Sequence, residues 1–488
     1  MKILLVKPYT ELKVAKRLQE SFLHLEPLEL EIVAGGVPPE DEVRILDLSV
    51  EKCPEQAFED MLNGYQPQML GFSAYSTTFH IAGKLAEKAK HLLPDILIFV
   101  GGIHATLLPV DYFSRSVDLV IRGEGATLMT ELITRYRNKQ KLDFSDAVLA
   151  VNDPDFLKKA GLPPGQYPGV AEIPRPRRDL VDRSKYFCVW TSSDTGSLKT
   201  MFPQVASLRT SLGCPFSCSF CVIHHIMNKK YLQRDPEDVV DEIAGLKEEH
   251  IYFVDDEMFI NAQRVAEIAR LLKQRGIRKK YISWARSDTI VNNPELFALW
   301  KEAGLEVVYV GLESMDENKL QEYDKRVSIE TNRKAVKILR DLGIMLHAAF
   351  IVHPDFDAGD FRRLEKEVAD LAPAEVTFTV LSPSPGTDFW LQNRGRFICD
   401  PFRYYDCMHS IMPTKMTLQR FYQHFGRLNA LALRANPLRL NKIKVPFKDF
   451  IRAIVGGTKY IFSLYTIYKD YPPDMWLSAG DDQLPPES

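Results

Sequence analysis

The stretch SLGCPFSCSFCVIHH, Ser211 to His225, places Cys214, Cys218 and Cys221 within eight residues, in a chain of 488 residues that has only seven cysteines. Thiolates so close together repel one another and are soft ligands, so a bound cation or cluster is the natural resolution. Structural zinc takes four protein ligands, usually as two pairs. The chain has no second C-x2-C pair, although His224 could complete a set. Three ligands on one loop suit a four-iron cluster with one iron left open, where a small molecule can bind. Three buried structural cysteines are the remaining reading, and packing alone gives no reason for C-x3-C-x2-C between a strand and a helix.

Downstream of the cysteines, apolar runs alternate with helical segments. HIYFVDD, YISWARSD, VVYVGLES, IMLHAAFIV and EVTFTVLSP read as strands, and five or six such units predict a (β/α) barrel or part of one. Upstream, KILLVKPY, MLGFSAYS and ILIFVGG are separated by stretches such as TTFHIAGKLAEKAKHLL, which predicts a Rossmann-like, doubly wound parallel α/β sheet. Ligands of such sheets sit at the carboxyl ends of the strands. The residues there are Ser73, Ser76 and Thr77, then Gly101, Gly102 and His104, then Gly123, Glu124 and Gly125. The organisation expected is a first domain over 1–145, a linker over 146–200 containing the proline-rich GLPPGQYPGVAEIPRPRRDL, a barrel over 201–400 and a helical C-terminal region over 401–488.

A net charge of -3 with 26% charged and 45% hydrophobic residues describes a mixed globular surface, not one that coats nucleic acid or stays disordered. Scattered cysteines, odd in number, and the lack of an N-terminal signal segment lead to the expectation of a reducing cytoplasm. FKDFIRAIVGGTKYIFSLYTIYKDY comes nearest to a membrane segment, but charges and Gly456-Gly457 interrupt it. Phe447, Ile451, Ile454 and Val455 repeat at helical spacing, an aromatic-rich half from Tyr460 to Tyr468 follows the glycines, and Lys442, Lys444, Lys448, Arg452 and Lys459 sit alongside. This mix suits either a peripheral membrane contact or a helix packed on the barrel.

C-x3-C-x2-C with an aromatic before the last cysteine, here Phe220, is the signature of the radical S-adenosylmethionine (AdoMet) enzymes, and RTSLGCPFSCSFC resembles that motif in full. The resemblance implies that Cys214, Cys218 and Cys221 hold a [4Fe-4S] cluster whose open iron takes the amino and carboxylate groups of AdoMet. An external electron donor would drive cleavage to methionine and a 5′-deoxyadenosyl radical. FVDDEMF, Phe253 to Phe259, resembles the family's second-strand segment near the AdoMet amino group and ribose, and WARSD and VGLES resemble the strands that follow. On that basis Asp255, Asp256, Arg286 and Glu313 are the AdoMet-side candidates.

FSAYSTTFHIAGKLAEKAK, VGGIHATLLP and IRGEGATLMTEL are similar to the cobalamin-binding domain of the cobalamin-dependent radical AdoMet enzymes, so the resemblance covers about 400 residues. It implies cobalamin on the loops named above. The wider D-x-H-x-x-G pattern is broken: LDLSVEKCPE has Asp47 but no histidine, which implies a cobalt without a protein histidine below it, with His80 and His104 as conceivable ligands or structural histidines. The activity implied is hydrogen-atom abstraction from an unactivated carbon and its methylation from methylcobalamin. Ring formation or rearrangement is the neighbouring activity. Sulfur insertion into transfer RNA would call for a second cysteine set, where the first region offers only Cys53, and a cofactor-binding protein without turnover would have no use for an open iron. FLHLEPLELEIVAGGV, FPQVASLRTSLGCPFSCSFCVIHHI and FIVHPDFDAGDF resemble the hopanoid C-3 methylases, which implies a lipid substrate; the tetrapyrrole methylases share much of this frame.

Overall fold

Ile3, Leu4, Leu5 and Val6 are wholly buried and form the centre of β1 (Lys2–Lys7), as an uninterrupted apolar run does when helices cover both faces of a sheet. The computed structural model describes residues 1–113, 115–162, 169–192, 196–227, 229–435 and 444–483. β1 is followed by β2 (Glu42–Asp47), β3 (Met69–Ser73), β4 (Leu97–Gly101), β5 (Leu119–Ile121) and β6 (Val148–Ala150), in the order β2-β1-β3-β4-β5-β6. The first five are parallel and β6 runs antiparallel to β5. Strand order reverses between β1 and β3, so the crevice at a ligand-binding switch point opens beyond Lys7 and Ser73. β2 escapes a search for continuous apolar runs because Glu42 and Arg44 alternate with its buried residues at the sheet edge.

The stretch read as a linker contributes β6 and a short helix, Phe156–Ala160, to this first unit, which comprises Met1–Glu11, Glu26–Lys185 and His225–Asn228. Three strand residues at an edge carry too little periodicity to be seen in a sequence. Part of the proline-rich segment, 163–168, lies outside the described residues. Farther on, Arg178 and Arg183 reach Glu26 at 3.1 and 3.0 Å, and Arg183 reaches Glu31 at 3.2 Å, neutralising two carboxylates that have no exposed surface.

The second unit holds β7 (Val205–Leu208), β8 (His250–Phe253), β9 (Lys280–Ala285), β10 (Leu305–Glu313), β11 (Met345–Val352) and β12 (Glu375–Val380), parallel and adjacent in chain order. Helices alternate with them, and one strand face (Leu208, Phe253, Val310, Phe350, Phe378) packs with Ile268, Trp300 and Phe361 from those helices. This is the partial (β/α) barrel that the spacing predicts. The C-terminal region adds the helices Leu418–Ala435 and Phe447–Tyr465.

Two features depart from the sequence reading. Residues 12–25, expected in the first domain, belong to the second unit, where the helix Lys13–Ser21 packs beside Phe447–Tyr465 and Phe22 meets Tyr460 edge-on at 5.4 Å. Gly456 and Gly457 do not break the terminal helix. A Cβ on Gly456 would stand 2.9 Å from the Ser21 hydroxyl, so the missing side chain is what lets the two helices approach.

His409 is fully buried between Asp406, 2.9 Å away, and Asp470, 3.1 Å away. Burial alone would pull its pKa down, but the two carboxylates outweigh burial and lift it from 6.5 to about 9. The imidazolium therefore contributes stability, about 3 kcal/mol, that is complete below pH 6.5 and is lost as the pH rises through about 9. Tm should fall across that window and His409→Gln should level it; a flat wild-type profile would contradict the assignment.

The cysteine loop and candidate cofactor sites

The cysteines lie between two short antiparallel pieces, Ser211–Leu212 and Leu232–Gln233. The entry is pinned from below by Asp255, which accepts from the Thr210 amide at 3.0 Å, the Thr210 hydroxyl at 2.7 Å and the Ser211 hydroxyl at 2.5 Å. Gly213 adopts φ 84, a conformation open to glycine, and its amide donates to Asp256 at 2.9 Å. On the far side the Ser219 amide donates to the Tyr323 carbonyl at 3.0 Å, Ser217 donates to Asp324 at 3.2 Å, and Phe220 packs edge-on to Tyr323. Asp324 and Arg326 both have left-handed backbones, φ 46 and 57, and turn the intervening Lys325 inward.

Arg286 joins these parts. Its guanidinium lies 3.7 Å from the Cys218 sulfur and 3.8 Å above the Phe216 ring. Asp288 grips it at 2.9 and 3.0 Å, and it donates to the Lys325 carbonyl at 2.7 Å. The Lys325 ammonium pairs with Glu313 at 2.8 Å, and Glu313, φ 60, ends β10 at a register irregularity. Glu257, 2% exposed, accepts from the Arg286 amide at 2.7 Å and the Phe259 amide at 3.3 Å. Burial pushes Cys214 up to about 11, Cys221 up to about 12 and the Glu257 carboxyl up to about 8. Buried thiols of this kind become thiolates when a cation takes the place of their protons.

Among the described residues no three His, Cys, Asp or Glu side chains converge on a point where a single ion could sit. A zinc ion needs all its ligands around one point, whereas a four-iron cluster takes each cysteine on a separate iron. The donor set fits the cluster.

In the first unit, Ser73 donates to the half-buried Glu29 at 3.3 Å beside the crevice, and desolvation raises the Glu29 carboxyl. Gly102 adopts φ 95, and a Cβ there would come within 2.9 Å of the Ala74 carbonyl. The Gly123 amide donates to Thr106 at 2.9 Å, and Glu124 accepts from the Ala126 amide at 3.1 Å. Thr77, Gly101 and Gly125 are half-buried on the same loops, while Ser76 is buried against His104, 3.2 Å away. His104 has no exposed surface: it stacks on Phe79 at 4.3 Å, meets Tyr112 edge-on and approaches Asp111 at 3.2 Å. In this structure His104 is part of an aromatic cluster. At the place of the missing cobalt-binding histidine, Asp47 accepts from the Ser49 amide at 2.9 Å and lies 3.6 Å from Lys7.

The Radical SAM superfamily model matches residues 208–368, and the B12 binding domain model matches residues 18–133. The chain is 30% identical over 466 residues to the hopanoid C-3 methylase of Methylococcus capsulatus, across 94% of this chain and 86% of that protein. The chain belongs to the cobalamin-dependent radical AdoMet methyltransferases. Its cofactors are accordingly a [4Fe-4S] cluster, AdoMet and cobalamin. A second relative is the anaerobic magnesium-protoporphyrin IX monomethyl ester cyclase of Rubrivivax gelatinosus, 26% identical over 390 residues, 78% of this chain and 67% of that protein. A cobalamin-dependent AdoMet radical enzyme solved with aqua-cobalamin and AdoMet superposes with a TM-score of 0.68 at 17% identity, over 96% of this chain and 72% of that one, and shares the fold.

For this methyltransferase the AdoMet-side candidates separate by geometry. Arg286 is brought beside Cys218, Glu313 is joined to it through Lys325, and Asp256 is exposed at the loop entry with one amide bonded. Asp255 is 3% exposed and accepts from Thr210 and Ser211, so in this structure its carboxylate holds the loop entry. Sequence reading missed Glu257 and Lys325. Glu257 adjoins the acidic pair that was noticed, whereas Lys325 becomes visible only through the backbone of its neighbours.

Two cations near Cys218, Arg286 and Lys325, favour the more negative, reduced state of a cluster on these cysteines. Arg286→Gln should lower the cluster's midpoint potential by tens of millivolts, with Arg286→Lys closer to wild type, as read by redox titration under EPR. Equal potentials in all three proteins would contradict the role.

Proposed function

We propose that the enzyme replaces a hydrogen on an unactivated carbon of a polycyclic lipid of the hopanoid type with a methyl group, working in the cytoplasm at a membrane face with an external electron donor. When bound, the cluster with AdoMet supplies the 5′-deoxyadenosyl radical and cobalamin supplies the methyl group. One observation carries the lipid reading: the barrel face turned away from the helices is an aromatic shelf. Trp284, Tyr309 and His347 stand in register across β9, β10 and β11, with ring centroids 4.5 and 3.9 Å apart and nearly parallel planes. Tyr252 of β8, 3% exposed, backs the shelf from within, and Glu375 at 3.0 Å and Thr377 at 2.7 Å hold the His347 ring.

Arg286 follows Trp284 by two residues, so the shelf lies about 7 Å along one strand face from a residue that touches Cys218. A flat apolar substrate lying across that row meets aromatic ring edges and few groups that demand hydrogen bonds. The likeness to a hopanoid C-3 methylase over most of both chains supports the same substrate class. Likeness to a tetrapyrrole cyclase supports a second reading, since a porphyrin is flat as well.

The test is anaerobic incubation of the reconstituted holoenzyme with a pentacyclic triterpenoid or a magnesium-porphyrin ester, with mass spectrometry of the extracts. A methylated triterpenoid is expected. Conversion of the porphyrin alone would sink the lipid reading.

A further inference from the structure

The terminal helix Phe447–Tyr465 has two unlike sides. Gly457, Tyr460, Ser463 and Leu464 are buried, Gly456 lies against Ser21 of the helix Lys13–Ser21, and Tyr465 lies against Gly426 of the helix Leu418–Ala435. The expected aromatic second half is thus largely turned inward, except Phe462. The opposite side carries Phe447, Phe450, Ile451, Ile454, Val455 and Phe462, which are 78%, 37%, 43%, 49%, 45% and 64% exposed. Their spacing puts them in one stripe along a helix of 19 residues, about 28 Å long. Six of the fifteen large hydrophobic side chains that stand exposed among the described residues are on this helix. Scattered exposure is ordinary, whereas a contiguous stripe marks a surface that is covered in use.

Charge identifies the cover. Lys448 and Lys459 are exposed and lie along one border of the stripe, and Lys444 is exposed just before the helix; Lys442 lies outside the described residues. The single acidic residue of the helix, Asp449, points inward, where the Thr200 hydroxyl at 2.5 Å and the Met201 amide at 2.9 Å donate to it. Arg452 is held by the Phe202 and Phe187 rings at 3.9 and 4.5 Å, so this cation braces the helix. An apolar stripe bordered by lysines, with no carboxylate facing out, matches the depth profile of an anionic phospholipid surface, where apolar groups enter the acyl boundary and ammonium groups stay among the phosphates. Among the described residues no helix is long and apolar enough to cross a membrane, so this element lies on the surface.

We infer that the Phe447–Val455 stripe with Phe462 docks the enzyme on an anionic phospholipid bilayer. Its use, access to a water-insoluble substrate, rests on the lipid reading above, but the docking itself is measured without turnover. The full chain is mixed with vesicles of phosphatidylcholine and phosphatidylglycerol, or of phosphatidylcholine alone, and floated through a density gradient at low and high salt. Wild type should float with the anionic vesicles and less so at high salt. Phe447→Ser, Ile451→Ser, Ile454→Ser and Phe462→Ser combined should abolish flotation, and Lys448→Glu with Lys459→Glu should weaken it by about tenfold or more. All six positions are on the surface, and circular dichroism of both variants should match wild type. Wild type left at the bottom, or a serine variant that floats equally, would overturn the inference. So would a wild-type dimer that the serine variant dissociates without any vesicle binding, since the stripe would then serve a second copy of the chain. A chain that floats yet methylates no lipid would leave docking standing and remove the substrate reading.

Discussion

Replacing Cys214, Cys218 and Cys221 together by Ala is expected to remove all iron and sulfide above background, and with them all 5′-deoxyadenosine formation from AdoMet. Each cysteine would hold a separate iron, so a loop stripped of all three thiols keeps no ligand for a cluster. The fold should survive, because the loop is held by groups other than the thiols: Asp255 at the entry, Asp256 on Gly213, and Tyr323 with Asp324 on the far side. Circular dichroism and iron analysis on the same sample separate the two effects. A triple variant that still cleaves AdoMet would exclude radical chemistry at this loop.

Asp255→Ala is expected to destabilise the second unit by about 3–5 kcal/mol, the cost of leaving several buried partners of a carboxylate unpaired. Three donor groups, the Thr210 amide and the two hydroxyls of Thr210 and Ser211, lose their acceptor at once, and Arg264, which donates to the Thr210 carbonyl at 2.7 Å, loses a nearby counter-charge. Asp255→Asn keeps an acceptor and should cost less. All five tryptophans lie in the second unit, so denaturant unfolding followed by tryptophan fluorescence reads that unit selectively. Iron loading should fall as well, since the cysteine loop loses its anchor. An unchanged midpoint in Asp255→Ala, or equal losses for Ala and Asn, would show that the carboxylate does not hold the loop.

The contrast between Asp255 and Asp256 shows what the sequence could and could not say. Both follow the apolar run of β8, and a resemblance to known enzymes singled out both. Strand alternation separates them: Asp255 shares parity with Phe253 on the helix-packed face, while Asp256 shares parity with Tyr252 and the shelf. The cysteine loop and most barrel strands were legible because thiol spacing and continuous apolar runs are local signals. Lys325 was not, since nothing local shows that Asp324 and Arg326 would take left-handed conformations to turn it inward. The move of Lys13–Ser21 into the second unit was equally hidden: its apolar side records that it packs, not on which element. The sequence left His104 open as a ligand or a structural histidine, because its packing against Phe79 and Tyr112 is not a local signal.

The most direct measurement uses AdoMet with a trideuterated methyl group, the reconstituted enzyme, a reductant and a pentacyclic triterpenoid under anaerobic conditions. Methyl transfer to an unactivated carbon consumes one AdoMet to open the carbon–hydrogen bond and another to supply the methyl group. The expected result is a triterpenoid carrying an intact trideuteromethyl group, with 5′-deoxyadenosine and S-adenosylhomocysteine formed in comparable amounts. A converted substrate without deuterium, accompanied by 5′-deoxyadenosine alone, would contradict methyl transfer and identify a ring-forming or rearrangement enzyme.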